Sequence, residues 1–360
     1  MSRQNRRVCR SLRALALLPV VLASPCRAVE EPLCVSNATE LRQALLEAAA
    51  SGFDYDIRLR PGVYFTGGQA FSYSVAAHGL SISGGWSDDH DPCDVQDPHA
   101  DATILDGQGA SAILKLVATG DAPGTHLAIG NLTLRNGGTS IDGEAAGLAL
   151  YGALHQELRV QNVAVLGSHN TTAQPQIATS NVVTLSGYAD IYFINNVFAD
   201  NTSAGYAALA FFTVFQEQTA YVHNNTLSLG ASFALLHSDH GTAFRFVNNA
   251  VLGQVALDGF DDLDPVRVWF FSNLGQWSGF AYNASVQADV GNDRSINPGF
   301  VAPLDFRPAA NSPLVNRGLN APVGGSSNTD LDGRPRVDLG FIDVGAFEST
   351  RERIFADAFD

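Results

Sequence analysis

Four aspartates lie close together in one short stretch, namely Asp258, Asp261, Asp262 and Asp264, and Arg267 follows them. Carboxylate oxygens on a flexible loop are the ligands that Ca²⁺ prefers. A bound cation beside an arginine base would suit a polysaccharide lyase, because the cation neutralises a uronate and acidifies the proton on the adjacent carbon. The alternative is a solvated acidic loop between strands, which is the more ordinary role of such a run in an acidic chain.

A second oxygen-rich stretch occurs near the C-terminus. Asn328, Asp330 and Asp332, followed by Gly333, have the spacing that opens an EF-hand calcium loop. The twelfth position of such a loop would be Leu339, where a bidentate glutamate is needed. The match is therefore half of a motif, and the alternative is a structural turn. Ca²⁺ is the one cofactor that these two stretches suggest.

Aromatic side chains cluster shortly after the aspartates. Neighbouring residues of a strand face opposite sides, so some of these side chains must point away from the core. Exposed aromatic rings can stack against sugars or contact a partner protein. The alternative is that loops fold back and cover them. The predicted ligand-binding residues are Trp269, Phe271, Trp277 and Tyr282.

An asparagine recurs at the end of short apolar runs, and this repeat indicates the elements that must position the candidate side chains. The intervals are 31, 34, 29, 24 and 24 residues. A drifting period of this size indicates a solenoid whose turns carry loops of variable length. Equivalent asparagines of stacked strands lie about 4.8 Å apart, so their amides can hydrogen-bond along a column. The members of this predicted structural ladder are Asn131, Asn162, Asn196, Asn225, Asn249 and Asn273.

Residues 37–50 carry the one convincing helical pattern of the chain. Asn37 is a candidate N-cap, and Glu40 follows three residues later. An amphipathic helix just before a solenoid can cover its open first turn, whose unpaired edge would otherwise template aggregation. The apolar stripe of this helix comprises Leu41, Ala44, Leu45 and Ala48.

The first 28 residues are typical of a secretory signal peptide. Five arginines lead into an apolar run from Leu12 to Ala23, and we expect cleavage after Ala28. The run is shorter than the roughly 20 residues of a membrane span, which disfavours a transmembrane anchor. A lipoprotein signal at Cys26 is a further alternative, but Pro25 is a poor fit to such processing.

Signal removal leaves Cys34 and Cys93, and an even pair in an exported protein predicts one disulfide. It also leaves 15 basic against 36 acidic residues, a net charge of −21. Such a surface repels nucleic acid and anionic membranes. We therefore expect a monomer without a nucleic-acid partner and without a membrane-spanning segment after signal removal.

Several short motifs occur in an order that resembles a known family. The chain is similar to the right-handed parallel β-helix proteins of the pectate-lyase-like superfamily, and among them to secreted bacterial proteins with a C-terminal segment of the choice-of-anchor type. It departs at 314–318, where LVNRG replaces a stretch that commonly carries an aspartate. The closing IFADAFD resembles a tail of exported proteins of some Gram-negative bacteria, which implies a secreted or cell-surface location. The motifs are IRLRPGVY at 57–64, SGGW at 83–86, ATILDG at 102–107, NLTLRNG at 131–137, NPGFV at 297–301, NSPLVNRG at 311–318, DLDGRPR at 330–336 and IDVGAFE at 342–348.

The resemblance implies an all-β fold, a single-stranded right-handed parallel β-helix of about ten rungs. An N-terminal capping helix and an irregular C-terminal cap would close its two ends. The expected boundaries are a signal peptide at 1–28, an N-terminal cap at 29–55, the β-helix at 56–296, a C-terminal cap at 297–348 and a tail at 349–360.

Function follows less directly, because a fold does not fix an activity. Asp239 and His240 resemble an acid–histidine pair of some pectate lyases, and Arg245 lies nearby, but the accompanying arginine-rich motif is missing. Polygalacturonases of this fold need Arg-x-Lys, which a chain with Lys115 as its sole lysine does not supply. We expect a non-catalytic protein that binds a glycan or another cell-envelope partner. The alternatives are a polysaccharide lyase acting on uronate-containing polysaccharide and a structural envelope protein without a ligand.

Overall fold

The computed structural model describes residues 32–75, 78–87, 93–120, 125–172, 180–204, 207–213, 218–238, 241–259, 265–337 and 340–349. The predicted signal peptide lies outside the described residues, as does almost all of the predicted tail. Within the described part, one α-helix, α1, spans Ala38–Ala50, and a 3₁₀ turn spans Ala100–Ala102. The strands are β1 Leu33–Val35, β2 Tyr55–Leu59, β3 Gly62–Phe65, β4 Phe71–Val75, β5 Leu80–Ser83, β6 Trp86–Ser87, β7 Val95–Gln96, β8 Thr103–Asp106, β9 Leu114–Ala118, β10 His126–Arg135, β11 Gly138–Thr139, β12 Leu148–Leu166 and β13 His169–Asn170. They continue as β14 Val183–Ile194, β15 Val197–Ala199, β16 Thr202–Ser203, β17 Leu209–Thr213, β18 Thr219–His223, β19 Thr226–Ser238, β20 Ala243–Val247, β21 Ala250–Gly259, β22 Val266–Phe271, β23 Leu274–Tyr282, β24 Ala284–Val290, β25 Phe300–Ala302 and β26 Asp305–Pro308.

Parallel pairing joins most of these strands into one 19-stranded sheet, and the pairings fall into three ladders. The first ladder runs through β1, β2, β5, β10, β12, β14, β18, β20, β22 and β24. The second runs through β3, β8, β10, β12, β15, β19, β21 and β23. The third runs through β4, β9, β12, β14, β17, β19, β21 and β23. The expected all-β architecture with parallel sheets and one helix is confirmed.

Alternation along each strand places one set of side chains in a single long core. In β14, for example, Leu185, Ile191 and Phe193 are fully buried in that core, whereas Tyr192 between them is half-buried and faces outward. The same alternation holds in β20, where Phe244 and Phe246 enter the core and Arg245 does not. Apolar side chains therefore stack on their equivalents in the neighbouring strands, and this explains why such short strands are stable together.

The corner between the first and second ladders is built from residues in the left-handed conformation. Asparagine adopts this conformation more readily than most other residue types. Register places Asn131 and Asn162 beside Asn195, so these two residues belong to the corner column. The predicted single ladder is corrected accordingly, because the six asparagines divide between two adjacent columns. The corner residues and their φ angles are Asn131 at 52°, Asn162 at 56°, Asn195 at 59°, Asn224 at 55°, Asn248 at 58° and Ser272 at 52°.

The second column holds the other four predicted asparagines, Asn196, Asn225, Asn249 and Asn273, all with no exposed surface. The side-chain oxygen of each later member accepts hydrogen bonds from the backbone N–H and the amide of the one before, at 2.8–3.1 Å. Asn292 continues the column by accepting from Asn273 at 2.7 and 2.8 Å. The sequence analysis missed this member, whose interval of 19 residues is shorter than the rest. Satisfied amides allow a polar column to lie in a buried corner.

The N-terminal end of the ladders is covered by α1. The Asn37 side chain accepts from the N–H groups of Thr39 and Glu40, both at 3.0 Å, which confirms the predicted N-cap. The apolar stripe of α1 is buried in the same core as the ladders. A disulfide joins Cys34 to Cys93, as predicted, and it ties β1 to the segment that follows β6. No helix of the described residues is long and apolar enough to cross a membrane.

Within the described residues, the segment 297–348, which the sequence predicts to be a C-terminal cap, runs along the flank of the ladders. Leu319 exchanges two hydrogen bonds with Asn248, and the Asn195 amide donates to the Thr329 carbonyl at 3.1 Å. The reason lies in the outer face of the second ladder, which is apolar and needs cover. Two small clusters form there: Ala164, Val197 and Ala199 with Leu331 and Phe347, and Ala250 and Leu274 with Leu314 and Val344.

Candidate ligand-binding cleft

A polar cleft of about 420 Å³ lies outside the third ladder, near the N-terminal end of the molecule. Its floor is formed by β4 and β9, and its walls are the loops around residues 68–70, 110–112 and 138–144. All of these lining residues belong to the described part of the chain. Small side chains predominate along it, which keeps it open.

The floor carries Lys115, the sole lysine among 21 basic residues. Register places Lys115 between Ser72 and Ala149, and alternation in β9 turns its side chain away from the core. Among the described residues, no hydrogen bond or ion pair engages its ammonium group. An ammonium group without a partner, facing a cleft, is available to an anionic or hydroxyl-bearing ligand.

Opposite the lysine, one wall of the cleft carries Glu144. The Thr139 hydroxyl donates to Glu144 Oε2 at 2.5 Å, and the Asn170 amide donates to the Glu144 carbonyl at 2.8 Å. The short strand β11 also pairs with β13, which fixes this wall to the next loop of the chain. The carboxylate is therefore held in place and is half-buried, while its Oε1 atom accepts no hydrogen bond within the described residues.

The opposite rim is positioned by α1. The Arg42 guanidinium donates to the carbonyls of Thr66, Gln69 and Ala70 at 2.5, 2.5 and 3.0 Å. It also lies 4.5 Å from the ring centroid of Phe71. Five potential donors in a planar fork can hold several carbonyls at once, so a single arginine fixes this loop. The contacts of Arg42 with this rim, and the bond between Thr139 and Glu144 on the other wall, therefore preform the cleft.

Three further polar side chains line the cleft: Gln69, Ser72 and Ser140. Within the described chain, none of the three side chains makes a hydrogen bond. Hydroxyl and amide groups both donate and accept, so they complement the hydroxyls of a ligand. One cation, one carboxylate and these neutral groups together suit a small ligand rich in hydroxyls, with an acceptor or anionic group directed at Lys115.

The predicted calcium cluster is only partly described. Asp261, Asp262 and Asp264 lie outside the described residues, so their role stays a prediction, as does that of Asp239 and His240. Asp258 is described, and its carboxylate lies 3.0 Å from His237 Nδ1. Among the described residues there is no group of three or more acidic, histidine or cysteine side chains that could hold a metal ion.

The stretch of the half EF-hand motif forms a turn, which is the structural alternative that the sequence also allowed. The Asp330 carboxylate accepts backbone N–H groups from Asp332, Arg334 and Glu348 at 2.7–3.0 Å. The Asp332 carboxylate is engaged by Arg307 through two hydrogen bonds at 2.6 and 2.7 Å. These contacts with a guanidinium and with backbone amides give both carboxylates a structural role in the turn. Asn328 contributes its backbone carbonyl to the same turn, accepting the Arg336 N–H.

The four predicted ligand-binding aromatics do not form one platform. Trp277 is a core residue, only 6% exposed and packed 5.6 Å from Phe270, and it fits because Gly253 is its register partner. Trp269 and Phe271 are half-buried on the first ladder, and the Arg245 guanidinium covers one face of the Trp269 ring at 4.8 Å. Tyr282 is exposed, but it lies on the third ladder.

Comparisons with known proteins returned no match: no family model, no curated protein and no solved structure is significantly similar to the chain. The cleft was not predicted from sequence, because its walls come from loops that are far apart along the chain. The one signal in the sequence was Lys115 itself, a single lysine in a chain that otherwise uses arginine.

Proposed function

We propose that this chain is an exported right-handed parallel β-helix protein that binds a glycan of the cell envelope or its surroundings without transforming it. The three ladders that the chain visits in turn support the β-helix. The disulfide and the N-terminal sequence support export. The motif order supports membership of the pectate-lyase-like superfamily with a choice-of-anchor C-terminal segment, and a secreted or surface location on a Gram-negative bacterium.

The observation that carries the proposed binding function is the Lys115 ammonium, which has no hydrogen bond or ion pair within the described residues and faces a cleft that Glu144 also lines. A glycan offers many hydroxyls as donors and acceptors, and an acidic glycan adds a carboxylate or sulfate for the lysine. After removal of the predicted signal peptide the chain has a net charge of −21. An acidic polymer is repelled less where a cation faces a cleft than over the rest of such an acidic surface. Preformed polar groups also reduce the ordering cost of binding.

A binding role is favoured over catalysis by what lines the cleft. A lyase needs a strong base beside carboxylates that hold a cation. Among the residues lining the cleft there is one carboxylate, and no arginine. The lyase alternative therefore rests on Arg267 and the aspartates that precede it, and it predicts an unsaturated product.

Binding is tested by measuring the affinity of the purified mature protein for a panel of neutral and acidic polysaccharides. At least one acidic polysaccharide should bind saturably, and Lys115→Gln should weaken that binding by about tenfold or more, the typical worth of a charge-assisted hydrogen bond. Arg317→Gln is the matched control, because Arg317 is exposed and far from the cleft. This control should bind like the parent.

Two results would contradict the proposed function. Failure of every polysaccharide to bind would remove glycan binding altogether. If Lys115→Gln and Arg317→Gln weakened polysaccharide binding equally, the binding would be a general charge effect and not a property of the cleft. A rise in ultraviolet absorbance during incubation with a uronate polymer would instead support the lyase alternative.

A further inference from the structure

Two opposite charges line the cleft without pairing with each other. The Lys115 ammonium and the Glu144 carboxylate both belong to its lining. Within the described residues, neither group forms an ion pair, and Glu144 Oε1 accepts no hydrogen bond. An ion pair needs an N···O separation of about 4 Å or less, so the two charges lie further apart than this. The space between them is therefore open to a ligand that contacts both.

Each charge is positioned by a different part of the fold. Lys115 projects from β9, which pairs with β4 on one side and β12 on the other. Glu144 is tied to its wall because its Oε2 atom accepts the Thr139 hydroxyl at 2.5 Å and its backbone carbonyl accepts the Asn170 amide at 2.8 Å. A ligand therefore meets both charges in a cleft that is already formed, which lowers the ordering cost of binding.

A ligand with one kind of charge, or with none, leaves at least one of these groups without an ionic partner. A polyanion can bind Lys115, but it also brings negative groups close to Glu144, and like charges that face each other weaken binding. A neutral glycan can contact both groups through hydroxyls, but it forms an ion pair with neither. A glycan with an ammonium group and a carboxylate can bind both, because hydrogen bonds between opposite charges are stronger than neutral ones.

We propose that the cleft binds a zwitterionic glycan, in which sugars with a free amino group adjoin sugars with an anionic group. The anionic group binds Lys115, and the ammonium group of the amino sugar donates to Glu144 Oε1. The neutral lining groups of Gln69, Ser72 and Ser140 contact the sugar hydroxyls. Such a polymer has little net charge, so the acidic surface of the chain repels it less than it repels a polyanion. This inference rests on the proposed glycan-binding function and specifies the class of glycan.

The class of ligand is tested with two forms of one polymer. The first form alternates glucuronate with glucosamine. The second is the same polymer after N-acetylation, which removes the ammonium group and keeps the carboxylate. Isothermal titration calorimetry is carried out in mildly acidic buffer, in which the amino groups are protonated. The parent protein should bind the first form about tenfold or more tightly than the second, the typical worth of a charge-assisted hydrogen bond. This comparison needs no variant, so it does not depend on how a substitution affects folding.

Substitutions assign the preference to one side chain. Glu144→Gln keeps the shape of the side chain but removes its charge, so the preference for the ammonium-bearing form should be lost. Glu47→Gln is the matched control, because Glu47 is exposed on α1 and does not line the cleft, and it should leave the preference unchanged. Lys115→Gln should weaken the binding of both forms to a similar extent, because both carry the carboxylate.

Two results would overturn this inference and leave the proposed glycan binding in place. One is saturable binding of both polymer forms to the parent with equal affinity. The other is a preference that survives in Glu144→Gln, because the ammonium group would then be bound by another residue. If neither form bound, and no polysaccharide of the neutral and acidic panel bound either, the proposed function itself would fail together with the inference.

Discussion

The two ends of the ladders differ in what covers the core. At the N-terminal end, a whole helix buries four apolar side chains against the core, and a disulfide fastens the first strand beneath it. At the C-terminal end, the Arg294 guanidinium lies over the last core rings, and within the described residues β24 pairs only with β22. The first end is therefore covered by a helix of the chain, whereas the described residues leave Val286 and Val290 of β24 exposed at the second. The C-terminal segment does not alter this, because it covers the flank.

Loss of the disulfide should have the largest effect on stability. It closes a loop of 59 residues, and in the chain-entropy model such a link is worth about 4 kcal/mol. The double change Cys34→Ser with Cys93→Ser should therefore lower the free energy of unfolding by about this amount in chemical denaturation. The reduced parent should behave like the double variant. If the double variant had the same unfolding midpoint as the oxidised parent, the disulfide would not stabilise the fold as expected.

Truncation of one apolar side chain at each end should give unequal costs. Leu45 of α1 is 1% exposed, so Leu45→Ala should cost about 2–5 kcal/mol through lost burial and a cavity. Val286 of β24 is 49% exposed, so Val286→Ala should cost less than about 0.5 kcal/mol. Chemical denaturation of both variants measures the two losses in the free energy of unfolding. Similar losses in the free energy of unfolding for Leu45→Ala and Val286→Ala would contradict the difference between the two ends.

The asparagine column provides a smaller and graded comparison. Asn225 lies mid-column, and Asn225→Leu should leave neighbouring amides unpaired at a cost of about 1–3 kcal/mol. Asn292 is the last member and is partly exposed, so water can replace its contacts and Asn292→Leu should cost less. Thermal unfolding of both variants checks the order. If Asn292→Leu lowered the stability more than Asn225→Leu, the buried hydrogen bonds of the column would not stabilise the fold in the way described above.

Local features of the fold could be read from sequence because they depend on nearby residues. The N-cap at Asn37 and the apolar stripe of α1 follow from helical spacing. The Cys34–Cys93 link follows from elimination, once the predicted signal peptide is set aside. The asparagine repeat was recognised, but its column was assigned one residue off in the early turns. Asn195 and Asn196 are adjacent, and only strand register shows that Asn131 aligns with the first of them.

Features that depend on distant segments could not be predicted. The flank position of residues 297–348 reflects an apolar outer face on the second ladder, which a short strand sequence does not reveal. Trp277 was expected outside, but alternation together with its register partner Gly253 places it in the core. The cleft escaped prediction for the same reason, since Lys115 and Glu144 come to line one cleft only when separate loops are stacked.

The glycan-binding role of the cleft can be tested at a single atom, because Lys115 is the sole lysine of the chain. Protein labelled with nitrogen-15 lysine gives one backbone amide signal, which can be followed while an oligosaccharide of the bound polysaccharide is titrated. The signal should shift saturably, and Glu144→Gln should weaken the titration while the fold is retained. A lysine signal that does not move while the glycan binds would place the binding site elsewhere and contradict the assignment of this cleft.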